Sequence, residues 1–380
     1  MRARYPDRDG FVDRDGVKIY FELYENDGPT ILLMPTWSLV HSRHWKMQIP
    51  YLARHYRVLT FDGRGNGKSD RPIESEAYGL SEFLSDVIAV MDETQTDRAF
   101  LAGMSLGGYY SLHLAARHPD RILGLIVFGS ATSLGAVYPE LALPERSEHE
   151  WATELETTEG WAKYNKFHWL RDYPDFVDFF IGRCITEPYS TKLTDDAIRW
   201  ALETDGKILV ATDEATDLVV GEDAVAAYRD IQCPVLIIHG GDDQIISHKS
   251  GAKLAEITGG EFVTMVGGGH FIHAREPVKS NHLMRDFVDR TAGRPPPSHL
   301  WTRGLDRPKR ALYLSSPIGL GHARRDVAIA AELKALHPDL EVDWLAQDPV
   351  TSVLESEGEK VHPASEYLAS ESSHITRESG

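Results

Sequence analysis

The chain has 380 residues, 42% hydrophobic and 26% charged, with 40 Lys and Arg against 58 Asp and Glu. A formal net charge of -18 leaves no basic footprint of the kind nucleic acids and anionic membranes require. Cys184 and Cys233 cannot build a disulfide framework, and Met1 to Asp7 lacks the apolar segment of a secretory signal, so a cytoplasmic protein is expected.

In chain order, Val17 to Tyr24 alternates as an exposed antiparallel edge hairpin would. Short apolar runs then recur at Thr30 to Met34, Tyr56 to Phe61, Ala99 to Ala102, Leu125 to Phe128, Pro234 to His239 and Glu261 to Val266. Near-continuous apolar runs of this length suit parallel strands covered on both faces, and helical patterns between them predict a doubly wound, mostly parallel α/β sheet. The longest run is far short of the roughly 20 residues that span a bilayer. Residues 134 to 225, between two of these strands, predict an inserted helical cap. Its many aromatics, among them Trp151, Trp161, Tyr164, Trp169 and Phe176, read first as the packing of a small helical layer. The cap also holds 20 Asp and Glu against 8 Lys and Arg.

A polar, proline-rich linker over 293–308 leads to a third section. Its predicted elements are a strand at Ala311 to Leu314, a Gly-rich turn at Pro317 to His322, a helix at Ala323 to Leu336, and strands at Glu341 to Leu345 and Lys360 to His362. The Ser- and Glu-rich residues 368–380 predict a disordered tail.

Chemistry concentrates at Gly103-Met104-Ser105-Leu106-Gly107, a G-x-S-x-G pattern between a predicted strand and helix. Such a turn lifts a serine hydroxyl above the sheet beside a helix N-terminus, where developing negative charge is favoured. A serine hydroxyl is a weak nucleophile at neutral pH and needs a base that is itself held by an acid. Two carboxylates, Asp242 and Asp243, follow the strand ending at His239, and His270 follows the next, which is the required order Ser, Asp, His.

Residues 1 to 292 resemble an α/β-hydrolase-fold serine hydrolase of the esterase, haloperoxidase-like and C–C-hydrolase type. The turn Asp62-Gly63-Arg64-Gly65-Asn66-Gly67-Lys68-Ser69, the segment His118-Pro119-Asp120-Arg121, and His270 with Arg275-Glu276-Pro277 carry that resemblance beside the serine motif. It implies Ser105 as nucleophile, His270 as base and Asp243 as orienting acid, since the family's acid is the fourth residue of a G-x-x-D turn, here Gly240 to Asp243. It also implies an oxyanion hole. Where relatives carry His-Gly this chain reads Met34-Pro35-Thr36-Trp37-Ser38, so the Trp37 amide would pair with that of Leu106, Pro35 having no N–H. Ser38 is either a further hydroxyl donor or a turn residue. With Met104 it completes the candidate substrate contacts.

The reaction expected is cleavage of a carboxylic ester or related small acyl compound, neutral or cationic, through an acyl-enzyme. A C–C hydrolase, lactonase, perhydrolase or acyltransferase on the same scaffold, or a ligand-sensing receptor, are the alternatives. No ligand spacing for a metal is present, and no cofactor is expected. Ala311 to His322 resembles the first strand and loop of two-lobed nucleotide-sugar glycosyltransferases, of which 309–367 would be an incomplete part. An appended βαβ layer without chemistry is the plainer reading of that segment.

Overall fold

The computed structural model describes residues 4–141, 151–188, 190–215, 217–295, 309–315 and 320–368. They fall into two compact units, 1–296 and 297–380. In the first, eight strands form one sheet: β1 (Arg8–Arg14), β2 (Val17–Tyr24), β3 (Thr30–Leu33), β4 (Arg57–Phe61), β5 (Ala99–Met104), β6 (Ile122–Phe128), β7 (Val235–Gly240) and β8 (Glu261–Met265), in the order β1-β2-β4-β3-β5-β6-β7-β8. From β4 to β8 every pairing is parallel. This is an α/β-hydrolase fold with a doubly wound sheet.

The helices of this unit are α1 (Ile49–Leu52), α2 (Leu80–Glu93), α3 (Leu106–Arg117), α4 (Lys166–Arg171), α5 (Tyr173–Cys184), α6 (Thr191–Ala201), α7 (Gly206–Asp213), α8 (Gly221–Arg229), α9 (His248–Thr258), α10 (Ile272–Arg275) and α11 (Pro277–Thr291). Period-2 geometry sends alternate strand residues to opposite faces. Ile31, Leu33, Phe100, Ala102, Ile126, Phe128, Leu236 and Ile238 pack with α1, α11 and the cap aromatics. Leu32, Met34, Leu101, Leu125, Val127, Val235 and Ile237 pack with α2, α3, α8 and α9. Both faces being apolar is why these strands read as continuous runs.

The antiparallel hairpin lies at the sheet edge as expected, but its outer strand is β1, and β2 is not exposed: Ile19 to Tyr24 are all buried. The polar member of that alternation, Glu22, lies inside a hydrogen-bonded knot, accepting from Tyr20 Oη at 3.0 Å, Tyr24 Oη at 2.8 Å and Arg43 at 2.7 Å. The predicted cap also extends too far. Ala224, Val225 and Tyr228 of α8 pack in the core beside α3, so this helix belongs to the sheet's covering layer.

The second unit contains β9 (Lys309–Leu314) and β10 (Leu340–Leu345), paired in parallel, with α12 (Leu320–Leu336) between them and α13 (Val350–Ser356) after. Trp344, stacked on Tyr313 at 4.5 Å, centres a small core with Ala323, Ala330, Val350 and Leu354. Residues 360–362 do not form the expected strand; only Val361 bridges to Trp344. His322 lies inside α12 rather than in a turn, while most of the linker, the turn residues 316–319 and the tail 369–380 are outside the described residues.

Candidate active site

Ser105 stands between β5 and α3 with φ 55° and ψ -120°, a conformation non-glycine residues rarely adopt and one that argues for function. The glycines make the turn possible. A Cβ at Gly103 would collide with the Gly107 backbone, and one at Gly107 with the Pro35 carbonyl. The turn is tied down from below, Ser105 N–H donating to the Phe128 carbonyl at 3.0 Å and Ala131 N–H to the Ser105 carbonyl at 3.0 Å.

The next residue of β6's exit, Gly129, brings the remaining groups close. A Cβ there would meet Asp243 Oδ2 at 3.0 Å and His270 Nδ1 at 3.2 Å. Ser105 and the His270–Asp243 pair therefore converge on the Phe128–Gly129 peptide. His270 Nδ1 lies 2.7 Å from Asp243 Oδ2, and both side chains are buried. The backbone N–H groups of Ile245 and Ile246 donate to Asp243 Oδ1 at 2.8 and 3.0 Å. Burial pushes the Asp243 carboxyl up, but the charge of His270 and hydrogen bonds from His239 and His270 outweigh it and hold the group well below the usual carboxylate range. Asp242 is exposed, with its N–H given to the Gly268 carbonyl.

The loop from Met34 to Ser38 rests against the start of α3. Met34 N–H donates to the Ala102 carbonyl at 2.8 Å and Thr36 Oγ1 to the Met104 carbonyl at 2.8 Å. Leu106 opens α3, where first-turn N–H groups have no intrahelical acceptor. The Trp37 ring enters the cap, 5.3 Å from Phe180, 5.6 Å from Trp169 and 6.1 Å from Tyr164, and its Nε1 donates to Thr212 Oγ1 on α7 at 3.0 Å. Met104 is buried in the same cluster. Ser38 is not a free donor: its buried hydroxyl donates to the Arg64 carbonyl at 2.9 Å, serving the turn. Asp62 and Arg64 are scaffold, Asp62 accepting from Ser42 and Lys68 and Arg64 gripping Asp86 through two bonds of 2.7 Å.

Three contacts had no role assigned from sequence. His239, one residue before the G-x-x-D turn, places Nε2 at 3.2 Å from Asp243 Oδ2. Cys184, which ends α5, and Glu187, three residues beyond it, accept from the His270 loop. His239 carried a signal, its four-residue spacing to Asp243. The cap residues carried none. Elsewhere His168 pairs with Asp175, His41 faces Glu203, and His44 meets His273 at 3.0 Å. No cluster of metal-ligating side chains occurs among the described residues.

The family model described as alpha/beta hydrolase fold matches residues 29–277. The chain belongs to that family. A 3-oxoadipate enol-lactonase of Acinetobacter baylyi is 25% identical over 246 residues, covering 65% of this chain and 84% of that protein. A 2-hydroxymuconate semialdehyde hydrolase of a Pseudomonas species is 27% identical over 250 residues, covering 64% and 81%. The structure of a bromoperoxidase from Bacillus anthracis superposes with a TM-score of 0.61 at 23% identity, over 74% of this chain and all of that one. The family match ends before the C-terminal unit.

Proposed function

We propose that this α/β-hydrolase cleaves a carboxylic ester, open-chain or cyclic, or a related small acyl compound through an acyl-enzyme on Ser105. The observation that carries the reading is the strained Ser105 turn, bonded to Phe128, meeting the buried His270–Asp243 pair beside Gly129 at the Phe128–Gly129 peptide. His270 Nε2 takes the proton as Ser105 Oγ attacks the carbonyl carbon, while Nδ1–H stays on Asp243, which stabilises the imidazolium. The amides of Trp37 and Leu106 receive the oxyanion, each such donor typically being worth about 10²–10³ in rate. The proton passes to the departing alkoxide, and water activated by the same imidazole releases the acid. The lactonase relative supports the cyclic ester as a substrate class, and the semialdehyde hydrolase relative keeps C–C cleavage as the second reading, since both begin at a carbonyl carbon. Unpaired cysteines at 184 and 233 fit a cytoplasmic setting. For the C-terminal unit the reading is an appended βαβ layer without chemistry of its own.

A fluorophosphonate probe and a panel of aryl esters, lactones and diketones test this directly. The reading expects labelling of the wild type, none of Ser105→Ala, and turnover of esters or lactones. Labelling that persists in the variant removes Ser105 from the chemistry.

A further inference from the structure

Three consecutive backbone N–H groups of the loop carrying His270 donate to the cap. Gly269 N–H reaches Glu187 Oε1 at 2.8 Å, His270 N–H the Cys184 carbonyl at 2.9 Å, and Phe271 N–H the same carbonyl at 3.3 Å. Cys184 ends α5, so its carbonyl is among those left open by the helix and sits at the negative end of the dipole. Two N–H groups satisfy it. The approach is close: a Cβ on Gly269 would meet Thr186 Oγ1 at 2.9 Å and the Cys184 oxygen at 3.0 Å. Elsewhere the loop is held by Gly268, which donates to the Met265 carbonyl and accepts from Asp242 N–H, and by the His270 side chain on Asp243.

Glu187 differs from the other acceptors because it is a side chain, and an expensive one. Its second oxygen, Oε2, is buried and without a hydrogen-bond partner among the described residues. A buried carboxylate oxygen left open is costly, and such costs call for an explanation beyond packing. The N–H it accepts from belongs to the residue just before His270.

We propose that Glu187 is a positioning residue for His270: by holding Gly269 N–H, the cap fixes where the imidazole stands relative to Ser105. The inference rests on the triad reading above. It makes the cap a determinant of turnover as well as of binding, since a displacement of about 1 Å at a reacting group can cost on the order of 10²-fold.

The test is the acylation rate of full-length Glu187→Ala, Glu187→Gln and Glu187→Asp, with KM and the thermal midpoint measured on each, beside Ser105→Ala and His270→Ala. Glutamine keeps an oxygen in place for Gly269; alanine removes it, and aspartate shortens the reach. A loss of about tenfold in kcat for alanine and aspartate is expected, with KM within about twofold and glutamine restoring most of the rate. Should the alanine variant unfold, the aspartate and glutamine pair decides. Wild-type rates in Glu187→Asp, or a glutamine variant as slow as aspartate, overturn the assignment while the triad stands. Turnover that survives in Ser105→Ala or His270→Ala overturns the triad reading and this inference with it.

Discussion

Two imidazoles meet on one oxygen of Asp243. His239 Nε2 lies 3.1 Å from the Ile246 carbonyl as well as 3.2 Å from Asp243 Oδ2, and a carbonyl only accepts, so Nε2 bears the hydrogen. The carboxylate thereby receives four donors: two amides on Oδ1 and two imidazoles on Oδ2. An asparagine at 243 keeps the shape but can favour the wrong His270 tautomer, and Asp243→Asn should lower kcat by about 10⁴-fold. Asp242→Asn should leave it unchanged, because that side chain is exposed. His239→Phe removes one donor and should lower kcat by about tenfold, or roughly one hydrogen bond to a charged group. Steady-state rates on one activated ester rank all three variants. Equal losses at 242 and 243 would contradict the assignment of the acid.

At the scale of elements, the cap reaches the site from two sides. One tie is the α5 end on the His270 loop; the other is Trp37, seated among Tyr164, Trp169, Phe176 and Phe180 and bonded to Thr212. Thr212→Val should cost about 1 kcal/mol of stability, read in chemical denaturation, and should lower kcat more than it changes KM, because Trp37 carries a proposed oxyanion donor. The sheet was legible in the sequence because parallel strands buried on both faces leave continuous apolar runs, and Ser105 was legible because its strained turn demands glycines at fixed offsets. The covering of β2 was not, since Glu22 alternates as a solvent-facing residue does while sitting in a buried knot with two tyrosines and Arg43. Nor was the boundary at α8, where a helix of the main layer follows the cap with no break in helical pattern. The cap's grip on Gly269 and Trp37 joins residues some 80 and 175 positions apart through backbone groups and single side chains, which no local pattern encodes.

Over the whole molecule, 12 of the 18 net negative charges lie in residues 134–225. Several of these acids are paired: Asp196 with Lys46 and Lys192, Asp175 with Lys163, and Glu214 with Lys166. Eight basic residues cannot neutralise twenty, so neutral or cationic esters should show higher kcat/KM than matched anionic ones, the gap closing as salt rises. Acid should destabilise the first unit through His44 and His273. Burial foremost lowers both, His273 to about 3, so the folded protein keeps them neutral while the unfolded chain binds protons near pH 6.5. Their contribution is full above pH 6.5 and fades as pH falls toward 3. A His44→Leu/His273→Phe variant should show a shallower decline of stability over that window. A pre-steady-state burst with an activated acyl ester, followed by mass spectrometry of the trapped protein, distinguishes nucleophilic Ser105 from a bystander. One acyl group per chain, mapped to Ser105, is expected; no burst together with undiminished turnover in Ser105→Ala rules out the acyl-enzyme on Ser105.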